Sequence, residues 1–334
     1  MKRLLALLLA LPLSIFAFFC VGCAEPQKDA VNIKYYAEAS QLPPFVLSGQ
    51  ETIALVPEPA ATALQANATK QGKTLYRLDL QELYDSEQKA YPQAVLLVKK
   101  SVLGSHAGIV QTLENAVSES VGWIKTNTEQ AVTAIANNGA TTLNAKALNS
   151  NAIDGCKIYW QGSSNAKQSV KDYINSIIAI DSAKAKVVED KFFDLTSSQT
   201  SQKAEYVFAM PDGAPALSTA KLINDGNNLG TNKTIDYQVV STIELRNHIV
   251  LGTADFIVCP VNMASQLYTA SSNTDHYVMV SVLTHGNFYI ISTEQITIND
   301  LAGKQVAVPM PNAVPDWTFR MVLNKHGLTY QTVE

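Results

Sequence analysis

The sequence predicts an α/β protein that folds into two packed units. Its 334 residues are enough for two domains, and a content of 47% hydrophobic and 16% charged residues is that of a globular chain. Apolar strand patterns alternate with helical patterns along most of the chain, which is typical of α/β architecture. A polar Ser/Thr/Gln stretch without periodicity, residues 195–203, indicates a linker between two series of such elements.

The first series begins with strands and helices in the order β-α-β-α. The strand patterns are VNIKYYA and TIALVPE, and the helical patterns are SQLPPFVLSGQ, which ends at Gly49, and PAATALQANATKQG, which ends at Gly72. An apolar strand pattern in YPQAVLLVKKSVL follows. Apolar residues at helical spacing then predict three helices, in GIVQTLENAVSESVGWIKTN, EQAVTAIANNG and AKQSVKDYINSII.

The second series starts behind the linker with a strand, a loop and a helix in EYVFAMPDGAPALSTAKLI. Further strands are predicted in TIDYQVV, DFIVCPV, HYVMVSVLT and NFYIISTE. The last unit, LAGKQVAVPMPNAVPDWTFRMVL, is a strand, a loop and an amphipathic helix that stops at Gly327. This order requires one more strand, and none is predicted in the residues that follow. Because no repeat of fixed period occurs, a solenoid or a propeller is disfavoured.

The N-terminus has the pattern of an export signal. Lys2 and Arg3 precede the apolar run LLALLLALPLSIFAFFCVGC, as in a signal peptide. Val21-Gly22-Cys23 resembles the lipobox of bacterial lipoproteins, which implies a signal peptide over residues 1–22, lipidation of Cys23 and a polar tether over 23–30. A plain signal peptide and an uncleaved membrane anchor are the alternatives. The expected location is the cell surface or the periplasm, and either type of bacterial envelope fits.

Charge and cysteine content argue against several classes of partner and cofactor. A net charge of -4 and a pI near 5.8 give no basic surface for nucleic acid or for anionic lipid. Cys156 and Cys259 each lie in a predicted apolar strand, CKIYW and DFIVCPV, which favours buried free thiols, although one disulfide is the alternative. We expect no metal and no cofactor, because the histidines stand singly, without ligand spacing, at His106, His248, His276, His285 and His326.

Motifs of enzymes are weak in this sequence. Ser218 with Lys221, and Ser164 with Lys167, match S-x-x-K, but no K-T-G accompanies them. Walker A, G-x-G-x-x-G, H-E-x-x-H and G-x-S-x-G patterns do not occur in it. The sequence therefore predicts a protein that is not an enzyme.

Several segments together resemble one family of binding proteins. The segments are MPDGAPALSTAKL, GTADFIVCPVNMASQLY, THGNFYIIS, LAGKQVAVPMPNAVPDWTFRMVLNKHGL and TIALVPEPAATALQ. They look like the successive signatures of substrate-binding proteins of ABC importers of the nitrate, taurine and thiamine-precursor type. In that family the PDGAP unit comes first and the PEPAAT unit late. Moving residues 31 to about 195 behind Glu334 restores the family order, which indicates a circular permutation, whether natural or engineered.

The resemblance implies a two-lobed, type II periplasmic-binding fold with a ligand cleft between the lobes. Lobe II would be assembled from residues 31–92 and 294–334, and lobe I from residues 93–293 with the linker inside it. The crossings around 91–98 and 288–292 are the hinge candidates. Permutation further requires VNIKYYA to pair in parallel with KQVAVPM, which places Ile33 beside Val306.

Candidate ligand contacts follow from the loops at the carboxyl ends of strands, where α/β proteins bind ligands. None of these loops contains Lys or Arg, whereas they hold four carboxylates and several aromatic rings. We therefore expect a neutral or cationic, flat, nitrogen-bearing ligand, stacked on Trp317 or Tyr36 and bonded to a carboxylate and Asn262, and not an anion. The candidate residues are Tyr36, Glu38, Ser40, Glu58, Asp212, Gly213, Asn262, His285, Asn287, Phe288, Asn312, Asp316 and Trp317.

Five of these residues also have a structural interpretation. Asp212 and Glu58 stand beside prolines where an acidic residue caps a helix, and Asn262 fits an N-cap as well. Trp317 fits the core of the last helix. His285 fits a packed histidine better than a catalytic base, because no acidic residue is near it in the sequence.

The function that this pattern favours is that of an extracytoplasmic solute-binding lipoprotein, monomeric, which delivers a small ligand to an ABC importer. Its partners would be the permease and ATPase subunits and, through its lipid, the membrane. Two alternatives remain. One is an enzyme of the same fold from pyrimidine or menaquinone synthesis, and the other is a lipid-anchored sensory module.

Overall fold

The structure is a computed structural model that describes residues 29–270 and 275–333. The predicted signal peptide, the predicted lipidation site Cys23 and most of the tether lie outside the described residues. The described strands are β1 (Val31–Tyr36), β2 (Ile53–Pro57), β3 (Tyr76–Asp79), β4 (Ala94–Lys99), β5 (Ile158–Gly162), β6 (Glu205–Met210), β7 (Thr234–Val239), β8 (Phe256–Pro260), β9 (Tyr277–Thr284), β10 (Phe288–Ser292), β11 (Gln305–Pro309) and β12 (Tyr330–Val333).

The α-helices cover the faces of the sheets that these strands form. They are α1 (Leu42–Ser48), α2 (Ala60–Lys70), α3 (Leu80–Tyr84), α4 (Lys100–Ser105), α5 (Ile109–Thr126), α6 (Thr128–Ala136), α7 (Ser150–Gly155), α8 (Ser163–Ile180), α9 (Ala214–Ser218), α10 (Ala220–Asn224), α11 (Thr242–Leu251), α12 (Val261–Leu267) and α13 (Val314–Lys325). Short 3-10 turns occur at Ala39–Gln41, Ala145–Ala147, Asp190–Phe192 and Ile298–Leu301.

The strands form two mixed sheets of six strands each, which confirms the predicted α/β class. The first sheet has the order β12-β1-β11-β2-β10-β3, and the second has the order β5-β9-β4-β8-β6-β7. All strands of the second sheet come from one continuous stretch, residues 94–284. Those of the first sheet come from both ends of the described chain.

The predicted pairing between the two ends of the chain is confirmed. β1 lies parallel to β11, and Ile33 stands opposite Val306. Both side chains are fully buried in the apolar cluster on one face of the first sheet. The alternation of buried and partly exposed positions along β1 agrees with a strand near the sheet edge.

A strand does follow the last helix, contrary to the prediction from the sequence. β12 pairs in parallel with β1, from Val31 opposite Tyr330 to Lys34 opposite Val333. Its four residues, YQTV, carry too few apolar side chains to show a strand pattern. Backbone pairing with β1 and the packing of Tyr330 against the first-sheet core hold it in place.

The strand Phe288–Ser292 belongs to the first sheet, where it lies antiparallel to both β2 and β3. The chain therefore passes between the sheets at 285–287, ahead of the predicted lobe boundary at 293. All five residues of β10 are buried, so its hydrophobic pattern does not reveal which sheet it joins.

The second sheet is packed on both faces, and one of its apolar clusters includes residues of α13. Trp317 and Val314 lie in the same cluster as Tyr173 of α8 and Leu267 of α12. This helix therefore connects the cores of the two sheets. The predicted linker 195–203 has no helix or strand, but Lys203 forms an ion pair with Asp255, the residue before β8, with an Nζ to Oδ1 distance of 2.8 Å.

Cys156 and Cys259 are both buried free thiols, so the disulfide alternative is not realised. Burial raises the pKa of each thiol well above its ordinary value, which keeps both protonated and unreactive. Cys156 follows α7 directly and lies outside the strand that was predicted to contain it. Among the described helices, none combines the length and apolar content needed to cross a bilayer.

Candidate functional site

Two short chain segments cross between the sheets side by side. One joins α3 to β4 through residues 85–93, and the other joins β9 to β10 through residues 285–287. They are bonded to each other by their backbones, from the Tyr91 N–H to the His285 carbonyl at 3.3 Å and from the Gln93 N–H to the Thr284 carbonyl at 3.0 Å. We call this pair the crossing segments. Because they carry the chain from one sheet to the other, they are where a rotation between the sheets would concentrate.

Gly286 fixes the geometry of the second crossing segment. Its φ of +83° lies in the left-handed region, and a Cβ atom there would come within 2.5 Å of Cε1 of Tyr91 and 2.7 Å of Cγ of Gln81. A side chain at this position has no room. The backbone therefore presents its two neighbours, His285 and Asn287, in one defined orientation.

His285 is buried, with 2% of its surface exposed, and its ring stacks on that of Tyr159 at 3.5 Å with 7° between the planes. Its Nε2 lies 3.2 Å from Oε1 of Gln161. Burial lowers the pKa of the imidazole to about 3, so the ring is neutral near pH 7. The prediction of a packed rather than a catalytic histidine agrees with this environment.

Asn287 connects the crossing segment to Glu58 at the end of β2. The Glu58 N–H donates to the Asn287 carbonyl at 2.8 Å, and Nδ2 of Asn287 donates to the Glu58 carbonyl at 3.2 Å. These two candidate residues, which are far apart in the sequence, therefore lie together. Phe288, the next candidate, is buried in the first-sheet core, and its N–H donates to Oε1 of Gln81 at 3.0 Å.

The carboxylate of Glu58 accepts three hydrogen bonds from protein donors. It accepts from the N–H and the hydroxyl of Thr62 at 3.0 and 2.8 Å, which is the predicted capping of α2. Arg77 of β3 forms an ion pair with it at 3.0 Å and lies 3.5 Å above the ring of Tyr289. The positive charge of the Arg77 guanidinium thus offsets the free-energy cost of burying the Glu58 carboxylate.

Helix α7, which precedes strand β5 of the second sheet, packs against Glu58. A Cβ atom on Gly155 would stand 2.7 Å from Cγ of Glu58, and the hydroxyl of Tyr289 donates to the Gly155 carbonyl at 3.3 Å. These contacts join the two halves of the molecule on the side of α2. The described conformation is therefore closed at this point.

Asp212 holds a neighbouring loop and does not cap α9. Its Oδ2 accepts the N–H groups of Thr141 and Thr142 at 2.7 and 2.9 Å, and its Oδ1 accepts that of Gly213 at 2.7 Å. Gly213 is itself the residue before the first turn of α9, with no side-chain cap. The capping interpretation of Asp212 is wrong, because its carboxylate points at amides of another segment.

The last candidate group is built around Asp316 in the first turn of α13. Its Oδ1 accepts from the hydroxyl of Tyr35 and from Nε of Arg320, both at 2.8 Å, and its Oδ2 accepts the Asn312 N–H at 2.9 Å. Nε1 of Trp317 donates to the Asn312 carbonyl at 3.0 Å. Trp317 is 1% exposed, which agrees with its interpretation as a core residue and leaves its ring enclosed in this conformation.

The remaining candidates lie apart from these groups. The hydroxyl of Tyr36 donates to the buried Glu51 at 2.5 Å. Glu38 and Ser40 are both exposed, Glu38 as the N-cap of the first 3-10 turn and Ser40 within that turn. Nδ2 of Asn262 donates to the Lys184 carbonyl at 3.5 Å. It does not cap α12, since the residue before that helix is Pro260.

Sequence reasoning missed the cationic partners of two of the four carboxylates. Arg77 pairs with Glu58 and Arg320 with Asp316, so the expectation of carboxylates without basic partners is wrong for these two. Arg77 lies in a strand that was not predicted, whereas Arg320 stands one helical turn after Asp316, a spacing visible in the sequence. Tyr159 and Gln161, which contact His285, and Gln93 of the first crossing segment were missed as well.

Two depressions of the described surface lie away from the candidate residues. A depression of about 160 Å³ borders β3 and β10, and an open groove of about 430 Å³ lies between α6 and α10. The candidate residues line neither of them. No group of three His, Cys, Asp or Glu side chains in the described ranges is arranged to hold a metal ion.

Comparison of the sequence with models of known protein families found no match. A search of curated protein sequences also found none.

Proposed function

We propose that this chain is the solute-binding lipoprotein of an ABC importer and binds a small, neutral or cationic, nitrogen-bearing aromatic molecule between its two sheets. The observation that carries the proposal is the pair of crossing segments, bonded to each other between the two α/β sheets. Such a connection suits a protein that closes on a ligand by rotating one half against the other. The permease and ATPase subunits of the importer would be its partners.

The finer assignment, a permuted type II periplasmic-binding fold, rests on the order of the sequence segments that resemble this family. A permuted chain needs its first strand beside one of its last, and the pairing of Ile33 with Val306 is consistent with that need. The lipid on Cys23 would then anchor the first sheet, because the tether leads directly into β1.

The charges near the candidate loops support the proposed ligand class. Arg77 and Arg320 offset Glu58 and Asp316, while no cation among the described residues forms an ion pair with Asp212 or with the exposed Glu38. Two of the four candidate carboxylates therefore keep their negative charge uncompensated. An anionic ligand would be repelled, whereas an amine or a neutral heteroaromatic ring would not.

Thermal-shift screening of the delipidated protein tests the proposal, because a ligand that binds the folded state raises the melting temperature by mass action. The panel contains amines, pyrimidines, sulfonates and nitrate. Small-angle scattering at saturation with each hit then measures closure, for which we expect a smaller radius of gyration. If no compound both stabilises and contracts the protein, the proposed function is wrong. Micromolar binding of a sulfonate would overturn the charge argument.

A further inference from the structure

The groove between α6 and α10 has a lining that is mostly uncharged and polar. We call it the α6–α10 groove, and its volume of about 430 Å³ lies within the range of ordinary small-molecule sites. Its polar lining residues are Glu129, Gln130, Thr133, Asn137, Asn138 and Asn224. Ala134 and Ile223 are its apolar ones. The groove shares no residue with the crossing segments or with the candidate ligand contacts.

Helix α6 presents one polar face to this groove and holds it in place with the other. Gln130, Thr133 and Asn137 are spaced by three and four residues, so they stand on the same face. Ala131 and Ile135 are fully buried in the core of the second sheet. The polar face is therefore carried by a helix that is fixed by its packing.

Much of the hydrogen-bonding capacity of the groove is unused by the protein. Four exposed side chains form no hydrogen bond and no ion pair within the described residues, those of Glu129, Gln130, Thr133 and Asn137. Gln111 of the neighbouring α5, in contrast, donates to Oδ1 of Asn115 at 3.0 Å. The two free carboxamides on α6 can each donate and accept.

Two further carboxamides of the groove are held in a fixed orientation. Nδ2 of Asn138 donates to the Ala134 carbonyl at 2.8 Å, and Nδ2 of Asn224 donates to Oδ1 of Asp225 at 3.0 Å. Because a carbonyl and a carboxylate can only accept, the amide nitrogen must face them, and each Oδ1 is left as an acceptor. The groove thus combines two oriented acceptors with two carboxamides of either role.

This lining disfavours several classes of ligand. No Lys or Arg is among the described residues that line the groove, so an anion would lack a cationic partner. Glu129 is the single charged group there, and one exposed carboxylate attracts a cation only weakly in water. An aromatic ligand would find no ring to stack on. A peptide needs pockets for its side chains, whereas Ala134 and Ile223 offer little apolar surface.

We propose that the α6–α10 groove binds a neutral saccharide unit, as a free sugar or as part of a glycan chain. Each sugar hydroxyl both donates and accepts, which matches the carboxamides, and the C–H groups of a pyranose ring pack on Ala134 and Ile223. These bonds compete with water, so the dissociation constant is on the order of 1 mM. Because the groove is separate from the space between the sheets, the inference does not depend on the proposed function.

Titration with neutral disaccharides tests the groove. The probes are cellobiose, maltose, lactose and N,N′-diacetylchitobiose, and at least one should shift the amide resonances of α6 in nuclear magnetic resonance spectra. A tetrasaccharide of the same repeating unit distinguishes the sources, since equal affinity indicates a free sugar and tighter binding a glycan chain. If none of the disaccharides binds at about 10 mM, the inference is wrong.

Variants of α6 locate the binding. Gln130→Ala and Asn137→Ala each remove a free carboxamide at an exposed position, so they should keep the melting temperature and weaken binding about fivefold. Thr133→Trp fills the groove and should abolish binding. Gln111→Ala is the matched control, because this exposed carboxamide lies on α5 outside the groove, and it should leave the affinity unchanged. Unchanged affinity in all three groove variants would overturn the inference.

Probes of the disfavoured classes complete the test. Putrescine represents aliphatic cations, and the amide of acetyl-trialanine represents an uncharged peptide. We expect neither to shift the resonances of α6 at concentrations where the disaccharide does. If either one binds in the groove more tightly than every disaccharide, the groove has another ligand and the inference is wrong.

Discussion

Ile33 stands directly opposite Val306 in a parallel pair of strands, although the two residues lie at opposite ends of the described chain. The second sheet, in contrast, is formed within residues 94–284. A contact between distant residues closes a long loop of chain, which costs conformational entropy. The contacts that offset this cost form only when the partner strands pair. The first sheet therefore loses more conformational entropy on forming than the second sheet does.

We predict that the first sheet is the less protected one in native-state hydrogen exchange. Amides of β1 and β11 should exchange faster than those of β4 and β8, because opening the first sheet releases a long closed loop. Mass spectrometry of peptic fragments after labelling measures this difference. Equal protection of the two sheets would contradict the prediction.

The ion pair of Arg77 with Glu58 gives a second prediction. Arg77→Met should lower the free energy of unfolding by about 3 kcal/mol, because it leaves the enclosed Glu58 carboxylate without its cation. The double variant Glu58→Gln with Arg77→Met should lose less than this single variant, since the uncompensated charge is gone. Urea denaturation measures both.

Lys89 with Glu82 is the control pair for this measurement. Their side chains are half exposed and 2.8 Å apart, so Lys89→Met should change stability little. A similar loss in Arg77→Met and Lys89→Met would mean that burial of Glu58 is not the cause.

Trp317 gives the third prediction, which concerns packing. Trp317→Ala should lower the free energy of unfolding by about 3–5 kcal/mol, because the ring fills the cluster that α13 shares with the second sheet. Trp317→Phe retains most of this packing and should lose much less. If Trp317→Ala weakened ligand binding by about 1–3 kcal/mol and left stability intact, the stacking role predicted from the sequence would replace the core role.

The fourth prediction concerns pH and His285. In the folded state its pKa is about 3, below the ordinary value of 6.5, so the unfolded chain takes up the proton first. The stability of the wild-type protein should therefore fall relative to His285→Phe by about 1.4 kcal/mol for each pH unit between pH 6 and pH 3. Denaturation curves at pH 7, 6, 5 and 4 test this, and a constant difference between the two proteins would refute it.

Several features of the fold could be predicted from residues alone. Gly49 does end α1 in a left-handed conformation, and β1, β2 and β9 match their apolar patterns closely. The pairing of β1 with β11 was predicted from the order of the segments that resemble the binding-protein family. β12 could not be predicted, since its stability comes from a neighbouring strand and not from its own side chains.

The candidate site was harder to predict than the fold. Glu58 and Asn287 were both singled out, but their mutual bonds depend on the antiparallel register of β10 with β2, which local patterns do not encode. Gln93 looks like an ordinary polar residue before a strand. Its bond to the Thr284 carbonyl appears only when the second crossing segment lies beside it, because a contact between distant residues is a property of the fold.

The arrangement of the first sheet also imposes an order in time. A ribosome delivers β1, β2 and β3 before any strand of the second sheet, and delivers β10, β11 and β12 last. When residue 284 has been made, all strands of the second sheet are present, whereas β1 still lacks both of its neighbours. The apolar residues of β1 and β2 then remain uncovered until synthesis is almost finished, which makes this early segment the natural target for a holding chaperone.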